Sequence, residues 1–287
     1  RELATISIGK MLGHAPSRVN FVKEHFTTWK AWLGRIKDKN YQIRVAWTNA
    51  LPNIIKNRTD IISEITIAFT DRLNDLDERV RLASCSVFGQ LKTNVIASKL
   101  NNKPLFNALF SRLRDTKQLV RQEAFPIIGS LYENAYPQID MGDEKYIELF
   151  GPIPQKILYQ LYLNDKEVSE RIDIALNENI FVPEPDDNIR TQRFLTVLSS
   201  LGEQEQKAFE AILKRQHTVA NYVGIFATVV KDYKNSKEDL DQNKARIDSI
   251  IKWLANSFAE SNKTEANLDY FVNKANDRTL KLLACRD

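Results

Sequence analysis

The stretch Arg112-Leu113-Arg114-Asp115-Thr116-Lys117-Gln118-Leu119-Val120-Arg121 decides how this chain folds, because its frame is written three times. Arg35-Ile36-Lys37-Asp38 closes six residues later on Ile43-Arg44, and Arg72-Leu73-Asn74-Asp75 closes on Val80-Arg81. The shared spelling is an Arg, an Asp three residues on and, six beyond the Asp, an Arg preceded by Ile or Val. The three Asp residues lie 37 and then 40 residues apart. Self-similarity at that period marks a stacked array of helical repeats rather than one closed core.

Working outward, apolar residues recur at i, i+3, i+4 and i+7 almost throughout, alternating strand-like runs are absent, and glycine and proline are scarce at nine each. The chain therefore reads as all-α. Each repeat should be a pair of helices: 19–36 with 43–55, 61–73 with 79–96, and 104–113 with 119–136. Pro104 suits a first helical turn, and Pro126 should kink or bulge its helix. Residues 137–151 read as an acidic, partly irregular insertion. A fourth, degenerate pair follows at 153–163 and 166–179. It keeps Asp165 and Arg171, but Tyr162 stands where an Arg stood before. The organisation expected is an N-terminal helix and about four repeats over 1–182, a linker over 183–190, and a less regular helical continuation over 191–287. Within that continuation the helices fall at 191–201, 203–216, 220–233, 240–258 and 265–283. Ser17 and the spelling 236–239 are cap signals. With helix pairs stacked antiparallel, the architecture is a right-handed α-solenoid of HEAT type.

The repeated Asp falls where the turn enters the second helix, where a carboxylate can satisfy free N–H groups. The closing Arg falls two turns into that helix, so the Asp of one repeat can pair with the Arg of the next. Arg35, Asp38, Arg44, Arg72, Asp75, Arg81, Arg112, Asp115, Arg121, Asp165 and Arg171 thus form a structural ladder. Ala46, Ala83 and Ala124 let helices approach closely.

Several function classes fall away. A net charge of +4 with well-mixed signs does not describe a dedicated nucleic-acid tail. Cys85 and Cys285 are 200 residues apart and spell neither disulfide nor zinc spacing, which suits a reducing compartment. Cys85 reads as a small buried residue. His14, His25 and His217 have no metal-ligand spacing. No phosphate-cradling glycine loop and no nucleophile elbow is written. The reading is a non-enzyme without cofactor or metal. The longest uncharged run, 216–230, is too short and too polar to span a bilayer. Both ends fall in helical sequence, so the chain reads as a piece of a longer protein.

Two surfaces remain as binding candidates. Residues 30–58 are basic and aromatic, and Lys30, Lys37, Lys39, Lys56 and Arg58 are free of ladder duties and able to meet phosphate. The structural alternative is a solvated face. Tyr159 and Tyr162 share a helix face and offer hot-spot chemistry. The alternative there is a pair of half-buried core tyrosines.

The runs W-L-G-R-I-K-D-K (32–39), V-R-Q-E-A-F-P-I-I-G-S-L-Y-E-N-A-Y (120–136) and I-P-Q-K-I-L-Y-Q-L-Y-L-N-D (153–165) resemble the HEAT-repeat cohesin regulators of the precocious-dissociation-of-sisters family, the fungal branch above all. The resemblance is specific over 21–182. It implies a nuclear, chromosome-bound scaffold without catalytic activity that binds the kleisin subunit of cohesin. It also implies work with a release factor, the cohesion-establishing acetyltransferase and other HEAT subunits, in maintaining and releasing sister chromatid cohesion. Kleisin contacts are expected at Val120, Lys156, Tyr159, Tyr162 and Asn164, where the Arg frame gives way. An inositol polyphosphate site is known in part of the family and cannot be matched to residues here. The competing readings are a DNA-binding module acting through 30–58 and an unrelated HEAT scaffold of transport or phosphatase type.

Overall fold

The computed structural model describes residues 1–14, 20–183, 185–235, 240–276 and 278–280. The expected caps at Ser17 and 236–239, and Cys285, lie outside the described residues. Among those described there are helices and no strand. The chain divides into two compact units, one of Arg1–Gln160 with Ile174–Leu201, the other of Leu161–Asp173 with Gly202–Asp287.

In the first unit the order is α1 (Glu2–His14), α2 (Phe21–Glu24), α3 (Phe26–Leu33), α4 (Tyr41–Asn49), α5 (Leu51–Asn57), α6 (Ile62–Leu73), α7 (Glu78–Gly89), α8 (Thr93–Lys99), α9 (Lys103–Phe110), α10 (Gln118–Asp140), α11 (Glu144–Phe150) and α12 (Ile153–Leu158). The boundaries have local causes. Asn40 and Asp77 accept the N–H groups of Gln42 (2.9 Å) and Arg79 (3.0 Å), so α4 and α7 start where a side-chain acceptor is available. The first helix of three repeats tightens into a 3-10 turn, Gly34–Lys37, Ser111–Arg114 and Tyr159–Leu163, just before the repeated Asp.

The core of this unit is strung with aromatics. Trp29, Trp32 and Trp47 are buried, with ring centroids 5.8 and 5.1 Å apart. The Trp32 indole donates to the Thr5 carbonyl at 2.9 Å, which ties α1 to α3. Phe69, Phe88, Phe106 and Phe150 continue the string at 5.2, 6.1 and 5.8 Å. Such pairs add to the burial of 150–250 Å² that each aromatic contributes.

Three expected second helices differ from their sequence reading. The helix expected over 43–55 is broken at Ala50, because Pro52 sits in the first turn of α5 and has no N–H to continue α4. The one expected over 79–96 ends at Gly89, and Thr93 starts α8. Conversely, α10 runs 23 residues through Pro126 and Pro137, and Pro126 lies on its exposed side. The expected irregular insertion 137–151 is therefore the end of α10 and all of α11, which Asp143 caps through the Lys145 N–H at 3.0 Å.

The second half follows α13 (Lys166–Ala175), which relaxes into a π-helical turn at Leu176–Ile180, and α14 (Asp187–Ser200). The linker expected over 183–190 is shorter than its composition suggested. Asp186 accepts the Asn188 N–H at 2.7 Å and starts α14. The second unit is built on α15 (Glu203–Asn235), α16 (Leu240–Asn256) and α17 (Ser261–Lys274). The two helices expected at 203–216 and 220–233 are one, since His217-Thr218-Val219 holds no breaker. Phe226, Val230, Ile247, Ile251 and Leu254 form its core, and Tyr222 stacks on Trp253 at 3.7 Å.

Candidate interaction surfaces

The ladder residues define what is interior. The Arg44 guanidinium grips Asp75 with a two-pronged fork, Nε and Nη2 each at 2.8 Å from a carboxylate oxygen. Arg81 grips Asp115 the same way at 2.7 Å on both prongs. Their third nitrogens, Nη1, donate back to the carbonyls of Asp38 (2.7 Å) and Asp75 (2.9 Å), and Arg121 makes the same return to Asp115 at 2.9 Å. This explains the six-residue spacing. The Arg is the fourth residue of the second helix, one turn in rather than the two expected. From there it reaches the carbonyl of the Asp that begins its own turn, while the forks of Arg44 and Arg81 are aimed at the next repeat. The direction is the reverse of the one expected from sequence: the Arg of one repeat meets the Asp of the following one.

Each Asp also holds the Arg three residues before it. Arg72 pairs with Asp75, and Arg112 with Asp115 at 2.7 Å. The remaining carboxylate bond goes to the N–H two residues on, at Asn40, Asp77 and Lys117. The Asp residues thus brace the turn, and the residue two further on caps the helix at Asn40 and Asp77, whereas Lys117 at the same place makes no side-chain cap bond. Asp38 receives Arg35 at 3.5 Å and, at 3.1 Å, Arg1. Arg1 stands where Arg44 stands for Asp75. The signal was in the sequence: Thr5 follows Arg1 by four residues as Thr48 follows Arg44, and each threonine hydroxyl donates to that Arg's carbonyl.

These forks raise the pKa of Arg44 and Arg81 above the ordinary value, chiefly through the bonds to Asp75 and Asp115. Arg72 moves the other way because burial outweighs its attraction to Asp75. All three remain cationic at neutral pH. For Asp115 burial pulls upward, but the bonds from Arg81 and the Lys117 N–H and the charges of Arg81 and Arg112 bring its pKa below the usual value.

At the fourth frame the chemistry changes. Asp165 accepts the Val168 N–H at 3.2 Å as a helix cap, and Arg171 lies 3.8 Å from Glu167 on its own helix. Asn164 takes φ 52°, a left-handed conformation that asparagine tolerates, so the turn itself gives a reason for this residue. Tyr162 is 52 % exposed, and its hydroxyl donates to the Gln204 carbonyl at 2.8 Å. In the first unit Lys156 is exposed, and Tyr159 is 39 % exposed with the Arg114 guanidinium 5.5 Å from its ring centre. Val120 does not belong with them. It is 0 % exposed in the α10 core, and a partner cannot touch it without opening the helix stack.

The basic stretch also loses a member. Arg58 is buried and forks onto Asp60 at 2.8 and 2.6 Å, so it is not free to meet phosphate. Lys30, Lys37, Lys39 and Lys56 are exposed, Lys30 standing over the Phe26 ring. Cys85 is buried, and burial pushes its thiol up to about 12. Among the described residues no group of His, Cys, Asp or Glu could hold a metal ion, and no helix is long and apolar enough to cross a membrane.

Stacked helix pairs locked by an Arg–Asp ladder define a HEAT-repeat solenoid, a class that works by presenting surface to other proteins. The family model for "Sister chromatid cohesion protein PDS5" matches residues 1–285, and the chain belongs to that family. It is 29 % identical over 99 % of its length to the PDS5 protein of Saccharomyces cerevisiae, and 24 % identical over 89 % to that of Schizosaccharomyces pombe. It covers 23 % and 22 % of those proteins, so it spans under a quarter of each. Among solved structures, a chain described under "Structure of the Pds5-Scc1 complex and implications for cohesin function" superposes with a TM-score of 0.85 at 28 % identity. The match covers 99 % of this chain and 42 % of that one.

Proposed function

We propose that this chain is part of a non-enzymatic, chromosome-associated scaffold in the nucleus. In this reading it binds the kleisin subunit of cohesin and takes part in maintaining and releasing sister chromatid cohesion. One observation carries it. Nearly the whole chain follows, at a TM-score of 0.85 and 28 % identity, the backbone of a chain solved in a Pds5-Scc1 complex. A release factor and other cohesin HEAT subunits follow as partners from family membership alone.

Within the first unit, Lys156 and Tyr159 are the contacts of choice. Both are exposed, and an amphipathic ring beside a cation is hot-spot chemistry. Leu119 is the apolar residue that α10 exposes next to Val120. Calorimetric titration with the matching kleisin segment tests the assignment. Tyr159→Ala with Lys156→Glu should weaken binding about tenfold or more and leave the melting temperature nearly unchanged. Unchanged affinity would remove this surface from the interface, and loss of folding would return Tyr159 to the core. Tyr162→Ala makes the same test in the second unit.

A further inference from the structure

α4 lies between α1 and α7, and the three helices enclose a trough of about 740 Å³. Its lining combines small or aliphatic side chains, Val45 and Ala46 on α4, Ile6 on α1, Leu82 and Ala83 on α7, with the Tyr41 ring, over which the Arg79 guanidinium, paired with Asp77, stacks at 3.3 Å. Gly9 on α1 deepens it, since a Cβ there would come within 2.6 Å of the Ala50 Cβ. Three carboxamides also line it, Gln42 and Asn49 two turns apart on α4 and Asn53 on α5. The Asn49 and Asn53 side chains have no hydrogen-bond partner among the described residues. Gln42 accepts only from Asn40 at 3.1 Å and keeps its own N–H donors free. On the α1 wall, Glu2 and Lys10 both line the trough and make no ion pair among the described residues. They are eight residues apart, or about 12 Å along the helix.

From this geometry we infer that the trough binds an extended peptide segment of a partner protein, with a basic residue toward Glu2, an acidic residue toward Lys10 and small aliphatic residues between. The main chain of an extended segment carries free N–H and C=O groups, which carboxamides bind in both senses. A docked helix has bonded those groups internally and leaves the carboxamides unused. At ~3.3 Å per residue, the 12 Å between Glu2 and Lys10 corresponds to three or four positions of the bound segment. Charge complementarity along one wall thereby sets the direction of the segment, and the small residues of the lining limit its side chains.

The experiment pans a displayed library of random twelve-residue peptides against the whole chain, then titrates the enriched peptides in synthetic form. Enriched sequences should pair a Lys or Arg with an Asp or Glu three or four positions away. Asn49→Arg, at an exposed position, fills the trough and should weaken these peptides about tenfold or more. Lys10→Glu should shift the preference from acidic to basic at the corresponding position. Replacing main-chain N–H groups of the peptide by N-methyl should weaken it to a similar degree. The inference is overturned if panning enriches nothing over an Asn49→Arg control, if Asn49→Arg binds the peptides equally, or if they gain helical circular dichroism on binding. Should Asn49→Arg melt early, Gln42→Ala and Lys10→Glu carry the test. Because no trough residue overlaps Lys156 or Tyr159, Asn49→Arg should bind the kleisin segment normally, which separates failure of this inference from failure of the kleisin reading.

Discussion

The ladder aspartates are single residues that each satisfy two guanidiniums and a backbone N–H, so their loss should exceed that of an ordinary surface pair. Asp115 is the strongest case. Arg81 and Arg112 expose 9 % and 14 % of their side chains, so removing the carboxylate strands two nearly buried cations. Asp115→Ala should lower unfolding free energy by about 3–5 kcal/mol in urea denaturation. Asp38 has partners that are 62 % and 36 % exposed, and water replaces the carboxylate for them. Asp38→Ala should lower it by about 1 kcal/mol. Equal effects at both positions would show that pairing depth does not set the ladder's strength.

Protonation should act on two carboxylates with opposite sign. Asp115 has a folded pKa below its unfolded value, because its bonds and charges outweigh burial. Its stabilisation is present above the unfolded pKa and is lost as pH falls through the folded one. Asp173 is raised, first by burial, against the pull of Arg215 at 2.6 Å. The folded state then holds this proton more tightly, and stability contributed by Asp173 declines as pH rises through the window between its unfolded and folded values. Denaturation curves between pH 3 and 7, conditions chosen to span ordinary carboxylate pKa values, should flatten at the acid end in Asp115→Asn. They should lose the opposing slope in Asp173→Asn. The same slope in both variants would contradict the assignment.

At the scale of elements, small residues set how closely helices meet. Alanine normally favours a helix over glycine by about 1 kcal/mol. At Gly9 the sign should reverse, because the new methyl meets the Ala50 Cβ at 2.6 Å and neither group has a rotamer to give. Gly9→Ala should destabilise by about 1–3 kcal/mol, read by thermal melting, whereas Gly34→Ala, with open space around it, should not. The same scale explains the misplaced boundaries. Proline and glycine announce themselves locally, but whether a helix survives them depends on what surrounds it. Pro52 ended α4, while Pro126 is carried inside α10 by a helix packed on α7, α9 and α11 along its length.

For the whole molecule, the buried Cys85 thiol offers a readout of the first unit. It is 0 % exposed and its thiolate is suppressed by burial. In a Cys285→Ser background, a thiol reagent at pH 8 should label Cys85 only through opening of that unit. Adding Asp115→Ala should speed labelling about tenfold for each ~1.4 kcal/mol of lost stability. Fast labelling of the parent chain would contradict the burial.

The sequence by itself determined the all-α class, the repeat period and the Arg and Asp residues of the first three frames, because helical periodicity and a three-residue chemical frame are local and survive without coordinates. It pointed to the tyrosines and lysines as surface candidates. The tertiary structure decided what distances along the chain cannot: that each Arg reaches forward to the next Asp, that Arg1 is a rung, that Val120 and Arg58 are buried, and that α1, α4 and α7 enclose a trough. Burial and pairing depend on which helix faces meet, and that is settled by packing between repeats some 37 to 40 residues apart.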